Sequence, residues 1–181
     1  EPERAEQVNL PEHLPYQLLR VSSLISLGVS RLFNAYFEIS TNEWRILAVL
    51  GYYGPQGAGE LSERVVLDRA STSRSLARLE TRGLIHRHAC GRDRRRRIIS
   101  LTPEGQDLHD RIAPLSRMRG RMIGAALTQD ERDAFIRTLH KLEDQVSWLN
   151  HEEAAELRGN GHLIPVSSSR SKGTKNFIDD A

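Results

Sequence analysis

The stretch from Gly59 to Pro103, GELSERVVLDRASTSRSLARLETRGLIHRHACGRDRRRRIISLTP, constrains the fold of this chain most. Apolar residues at helical spacing predict two short helices, Glu60 to Val65 and Arg69 to Arg82. Leu61, Val65 and Leu67 give the first its buried side, and Leu76 and Leu79 the second. Asp68 is placed to cap the second helix, where its carboxylate can take an orphan amide hydrogen, and Gly83 to end it. Leu84 to Ala89 and Arg96 to Leu101 read as two strands joined by Cys90-Gly91-Arg92-Asp93-Arg94-Arg95. The order is helix, turn, helix, two-stranded wing, within a mainly α chain. A helix after a tight turn can enter the DNA major groove, and a basic hairpin beside it can reach the backbone or minor groove.

The charge distribution agrees. Residues 59 to 103 hold eleven arginines against five acids, a net +6, whereas the rest of the chain has fifteen basic and nineteen acidic residues, a net −4. Positive charge gathered in a quarter of the length suits local contact with a polyanion. None of the eleven is lysine. Arginine presents a planar fork that pairs with phosphate or a guanine edge, which a lysine point charge cannot do. In the second helix, Arg69, Ser71, Thr72, Arg74, Ser75 and Arg78 are expected to face outward, short hydroxyls allowing close approach and arginines reaching bases. Asp93, Arg94, Arg95 and Arg96 complete the DNA-binding set from the wing.

The remainder reads as helices around this unit. Residues 1–13 form a polar N-terminal arm with two prolines. From Leu14, apolar residues at Leu18, Val21, Leu24, Ile25, Val29, Leu32, Phe33 and Tyr36 predict one long amphipathic helix, with Gly28 allowing a bend or a close approach. Ser40 or Thr41 caps the next helix, and Gly54 to Gly59 form a break after it. Thr102-Pro103 opens a helix to about Ala126 with Pro114 as an expected kink. Thr128 with Glu131 reads as a capping box for a last helix to about Leu149. Hence residues 14–38 and 104–150 are expected to form a helical dimerisation region and 41–103 the DNA-binding domain, with 151–181 a polar tail whose first residues can extend the last helix. The apolar faces of the end helices are too wide for a small monomer to cover. Pairing two copies would bury them, space two recognition helices about one DNA turn apart and require a palindromic operator.

No run of eighteen apolar residues exists, EPERAEQVNLPEH lacks the apolar core of a signal peptide, and the single cysteine, Cys90, points to a reducing compartment, by default the cytoplasm. No Ser-His-Asp or Cys-His set, glycine-rich phosphate loop or His-Glu-x-x-His occurs, so neither an enzyme nor a cofactor is expected.

At GELSERVVLDRASTSRSLARLETRGLI and GRDRRRRIISLTPEG the chain resembles the MarR family of bacterial winged helix-turn-helix transcription factors. Asp93, Arg95, Ile99, Leu101 and Thr102 fall in the family's wing pattern, and Glu43-Trp44-x-x-Leu47 is similar to its second helix. The resemblance covers about residues 14 to 150. It implies an intertwined homodimer in which Arg95 enters the minor groove and Asp93 steadies the wing. Val66 departs from it, standing where the inter-helix turn usually has Gly or another small residue.

The resemblance also implies a small-molecule effector, often an aromatic acid or its CoA thioester, lodged between the dimer helices and the DNA-binding lobe. Tyr16, Arg20, Ser23, Tyr36, Trp44 and Arg45 lie on the helices that would line such a pocket. The expected function is therefore a ligand-released repressor of double-stranded DNA. Two alternatives stand beside it, a redox-responsive repressor acting through Cys90 and a winged-helix protein-interaction module. Against the first, the family's peroxide sensors carry their cysteine in the first helix, where this chain has none. His86, His88 and Cys90 alternate on one strand and are zinc-ligand types, but no fourth ligand is in sequence reach, so no metal is expected.

Overall fold

The computed structural model describes residues 8–90 and 93–160, with side chains except at 90, 93–96 and 152–160. Two compact units divide between Met122 and Ile123. The first holds α1 (Leu14–Phe37), α2 (Thr41–Tyr53), α3 (Ala58–Val65), α4 (Arg69–Thr81) and most of α5 (Pro103–Gly124). It also holds a three-stranded antiparallel sheet of β1 (Gln56–Gly57), β2 (Ile85–Cys90) and β3 (Asp93–Leu101), in the order β1-β3-β2. The second contains α6 (Gln129–Asn160). This is the winged-helix arrangement that the sequence order predicts.

Side-chain caps set the helix starts. Ser40, not Thr41, caps α2. Its hydroxyl accepts from the Glu43 amide at 3.2 Å, while Glu43 Oε2 accepts from the Ser40 amide at 2.7 Å. Thr128 and Glu131 make the same reciprocal pair before α6, with 2.8 Å from the Thr128 amide to Glu131 Oε2. The amide and hydroxyl of Thr128 hold the Glu131 carboxyl below its ordinary range. Thr102 caps α5 by accepting from the Gly105 amide at 3.0 Å, and its own hydroxyl donates to the Gly83 carbonyl at 2.6 Å.

Two glycines are required by geometry. Gly83 has φ +68°, and around it the Leu84 amide reaches Leu79 O and the Gly83 amide reaches Glu80 O, both at 2.9 Å. That closes α4 with the paired bonds of a Schellman turn. Gly105 is buried, and a Cβ there would run into the Leu84 carbonyl, so α5 begins in direct backbone contact with the start of the wing.

One cluster forms the core. It takes Phe33 from α1, Ile46, Leu47 and Leu50 from α2, Leu61 and Val65 from α3, and Leu76 and Leu79 from α4, with Ile85 and Ile99 from the sheet and Leu108 and Ile112 from α5. Most of α1 contributes little to it. Phe33 is its one fully buried side chain, Val29, Leu32 and Phe37 pack partly, and Leu14, Leu19, Val21, Leu24, Ile25, Leu27 and Tyr36 are exposed. Gly28 serves close approach, since the Arg119 guanidinium of α5 lies where its side chain would be.

Several boundaries differ from expectation. The glycine break contains β1, whose Gln56 and Gly57 pair with Ile99 and Ile98. β3 begins at Asp93 rather than Arg96, because pairing with β2 continues to Cys90 opposite Asp93 across a register shift. Pro114 sits inside α5 without ending it, and α6 runs on to Asn160. Residues 1–7 of the expected arm, Gly91 and Arg92 of the wing, and 161–181 of the expected tail lie outside the described residues. No described helix is long and apolar enough to cross a membrane.

Candidate nucleic-acid interface

α3 and α4 are joined through Val66, which takes the left-handed conformation at φ 49° and ψ 55° and is 73% exposed. The turn thus keeps the geometry a glycine would favour, at the cost of placing a β-branched residue there. Asp68 then starts α4, its Oδ1 accepting from the Ser71 amide at 2.8 Å. The Ser71 hydroxyl first, and the Ser71 amide next, hold the Asp68 carboxyl below its ordinary range. Arg74 Nη2 donates to Ser71 Oγ at 3.0 Å, which orders the first turns of this face.

The outward face of α4 carries Arg69, Ala70, Ser73, Arg74, Ala77 and Arg78. Thr72 and Ser75 do not belong to it. They are 5% and 7% exposed and lie on the face of Leu76 and Leu79. The physical reason is helical period, because positions 72, 75, 76 and 79 share one stripe. Ser73 takes the outward place that the sequence reading gave to its neighbours. The same spacing could have identified it.

Arg78 is exposed along its stem, yet its Nε lies 3.1 Å from Oε1 of Glu43, a side chain with no exposed surface. The contact is ionic rather than a well-aligned hydrogen bond. Arg78 therefore ties α4 to α2. In the sequence Glu43 stands out only as part of Glu43-Trp44-x-x-Leu47, since periodicity cannot see a tertiary ion pair. Arg87 on β2 pairs with Glu80 of α4 at 3.0 Å. It also lines a groove of about 510 Å³ with Arg69, Ser62 and Thr72, whose buried hydroxyl has no hydrogen-bond partner. Arg97 is exposed on β3 opposite Ala89. Asp93, Arg94, Arg95 and Arg96 lie on β3, and their side chains are outside the described residues.

The six expected ligand residues are not gathered at one place in the chain. Tyr16, Arg20 and Ser23 are exposed near the start of α1, and Tyr36 is 72% exposed near its end. At helical rise, Tyr16 and Tyr36 stand about 30 Å apart. Trp44 packs as core, edge-on to Phe33 and stacked on His109, each with centroids 5.6 Å apart. Arg45 is exposed. A cavity of about 630 Å³ between α1, α4 and α5 includes only Tyr36 of the six, beside Glu38, Arg82, Glu104 and Arg111.

A family model described as MarR family matches residues 37–96, the span from the end of α1 into the wing. The transcriptional regulator HosA of Escherichia coli O157:H7 is 30% identical over 82 residues, 45% of this chain and 61% of HosA, so the match spans less than two thirds of that relative. A MarR/EmrR family transcriptional regulator from Acinetobacter sp. ADP1 matches at TM-score 0.73 and 26% identity, over 78% of this chain and 99% of that one. Over that span the chain carries the winged helix-turn-helix of the MarR family. A further structural relative is the PcaV regulator from Streptomyces coelicolor, solved in complex with its natural ligand. It matches at TM-score 0.66 and 25% identity, over 77% of this chain and 98% of PcaV. In this winged helix-turn-helix frame, α4 is the second helix of the pair and β2–β3 the wing.

Proposed function

We propose that this chain is a dimeric MarR-family repressor that binds a palindromic operator in double-stranded DNA and is released by a small-molecule inducer, an aromatic acid or its CoA thioester. The observation that carries the reading is the outward face of α4, where Asp68 caps a helix presenting Arg69, Ser73 and Arg74 beside an arginine-rich strand. Ser73 and the two alanines let the helix sit close to base edges, and the arginines supply the paired donors that read guanine. Exposed apolar residues support the dimer, Leu19, Val21, Leu24 and Leu27 on α1 and Phe135, Ile136, Val146 and Trp148 on α6. The distance between Tyr16 and Tyr36 gives the effector site a form: if all six residues serve it, two subunits must build it. PcaV, solved in complex with its natural ligand, supports an effector for this chain. MarR folds are generally non-enzymatic, and the proposal gives the chain no catalytic step.

The test is a fluorescence-anisotropy titration against duplexes from the promoter beside its own gene, with random DNA as competitor, at several salt concentrations. The expected result is dimer binding that prefers the promoter and falls steeply with salt. Binding that is absent, or insensitive to salt, would favour a protein-interaction module. A thermal-shift screen of aromatic acids and their thioesters then tests the inducer, because a ligand of the native state raises Tm.

A further inference from the structure

The wing carries two histidines to which the proposed function gives no role. His86 and His88 both stand exposed on β2, with ring centroids 5.4 Å apart and planes tilted by 33°. Two imidazoles on one tetrahedral zinc, each bonded at about 2.0–2.1 Å, place their centroids about 5.2 Å apart. The spacing follows from the strand, where alternate residues share a face. Ser100 lies across the ladder from His86, is 8% exposed, and holds its Oγ 3.0 Å from His86 Nε2. In the tautomer in which Nε2–H donates to the hydroxyl, Nδ1 keeps a free lone pair for a metal. That outer hydrogen bond is the usual companion of a metal-bound histidine.

We propose that His86 and His88 form an open two-imidazole site on the wing for a borderline divalent cation, with Ser100 orienting the first ring and water filling the other positions. Closed structural zinc sites take four protein ligands and open ones usually three, so a two-imidazole site leaves more positions to water and binds less tightly. Imidazole selects zinc, copper or nickel over magnesium and calcium, and copper(II) should bind tighter than zinc. The arginines of the hairpin oppose a dication, while neutral imidazoles bind it through coordinate bonds that need no net attraction.

The experiment is a zinc chloride titration of the full chain without an affinity tag, followed by calorimetry and by the histidine ring signals in NMR. One saturable equivalent should shift the His86 and His88 rings together. His86→Gln and His88→Gln should each abolish that step while keeping the fold, since both side chains are exposed. Ser100→Ala should weaken it about tenfold, and Cys90→Ser should leave it intact. Zinc that moves other rings but not these two, binding unchanged in either glutamine variant, or loss of the step in Cys90→Ser would overturn the assignment.

Discussion

Arg78 Nε stands 3.1 Å from Oε1 of Glu43, so an arginine on the outward face of α4 is engaged by the protein before any DNA arrives. Arg74, one turn earlier, donates to Ser71 Oγ on its own helix and, among the described residues, reaches no other helix. The two should therefore separate in mutagenesis. Arg78→Ala leaves a buried carboxylate with only the Ser40 amide, and should lower stability by about 1–3 kcal/mol. Arg74→Ala should leave urea unfolding almost unchanged and weaken operator binding by about 1–3 kcal/mol if it reads a guanine. Urea melts beside anisotropy titrations check both, and equal stability of the two variants would refute the distinction.

Val66→Gly is expected to stabilise the chain. A β-branched residue at φ 49° is strained, and its exposure means that little packing is lost on removal. Relief of about 1–2 kcal/mol exceeds the extra entropy that glycine gives the unfolded chain, about 0.4–1 kcal/mol. The net gain should be roughly 0.5–1 kcal/mol, read as a higher urea midpoint at unchanged slope.

Gly105→Ala should do the reverse. Its Cβ would meet the Leu84 backbone carbonyl, which cannot swing aside as a side chain can. Forcing α5 from the wing should cost about 2–3 kcal/mol. Gly28→Ala is the control, because its Cβ would meet only the movable end of Arg119 and alanine favours a helix. A thermal melt should show a large fall in Tm for the first and none for the second.

The cap of α4 predicts acid sensitivity. Asp68 has a carboxyl pKa lowered from 3.8 in the folded chain, so its contribution is complete above that value and is lost as pH falls through the lowered one. Asp68→Asn keeps a capping oxygen and removes the titration. Thermal melts across the acid limb should therefore fall less steeply for Asp68→Asn than for the parent chain, and parallel curves would refute the role.

Where structure depends on neighbours in sequence, the residues announced it. Asp68, Thr102 and the Thr128–Glu131 pair mark helix starts through bonds spanning three residues, and Gly83 marks an end for the same reason. Tertiary features were silent. β1 is two residues long and exists because β3 pairs with it. Glu43 finds its cation, Arg78, on another helix. Thr72 and Ser75 were misplaced because their chemistry was weighed above their period. The six effector residues were chosen by type, and a helix cannot bring Tyr16 to Tyr36.

Arg82 sits at the end of α4, and its guanidinium donates to the carbonyls of Glu38 and Phe37 that finish α1, at 2.6 and 3.4 Å. Those carbonyls would otherwise lack partners, so the two helix ends are fastened by a bond neither can give up cheaply. A push on α1 at this point is delivered to the far end of the reading helix, as a crank turns its shaft.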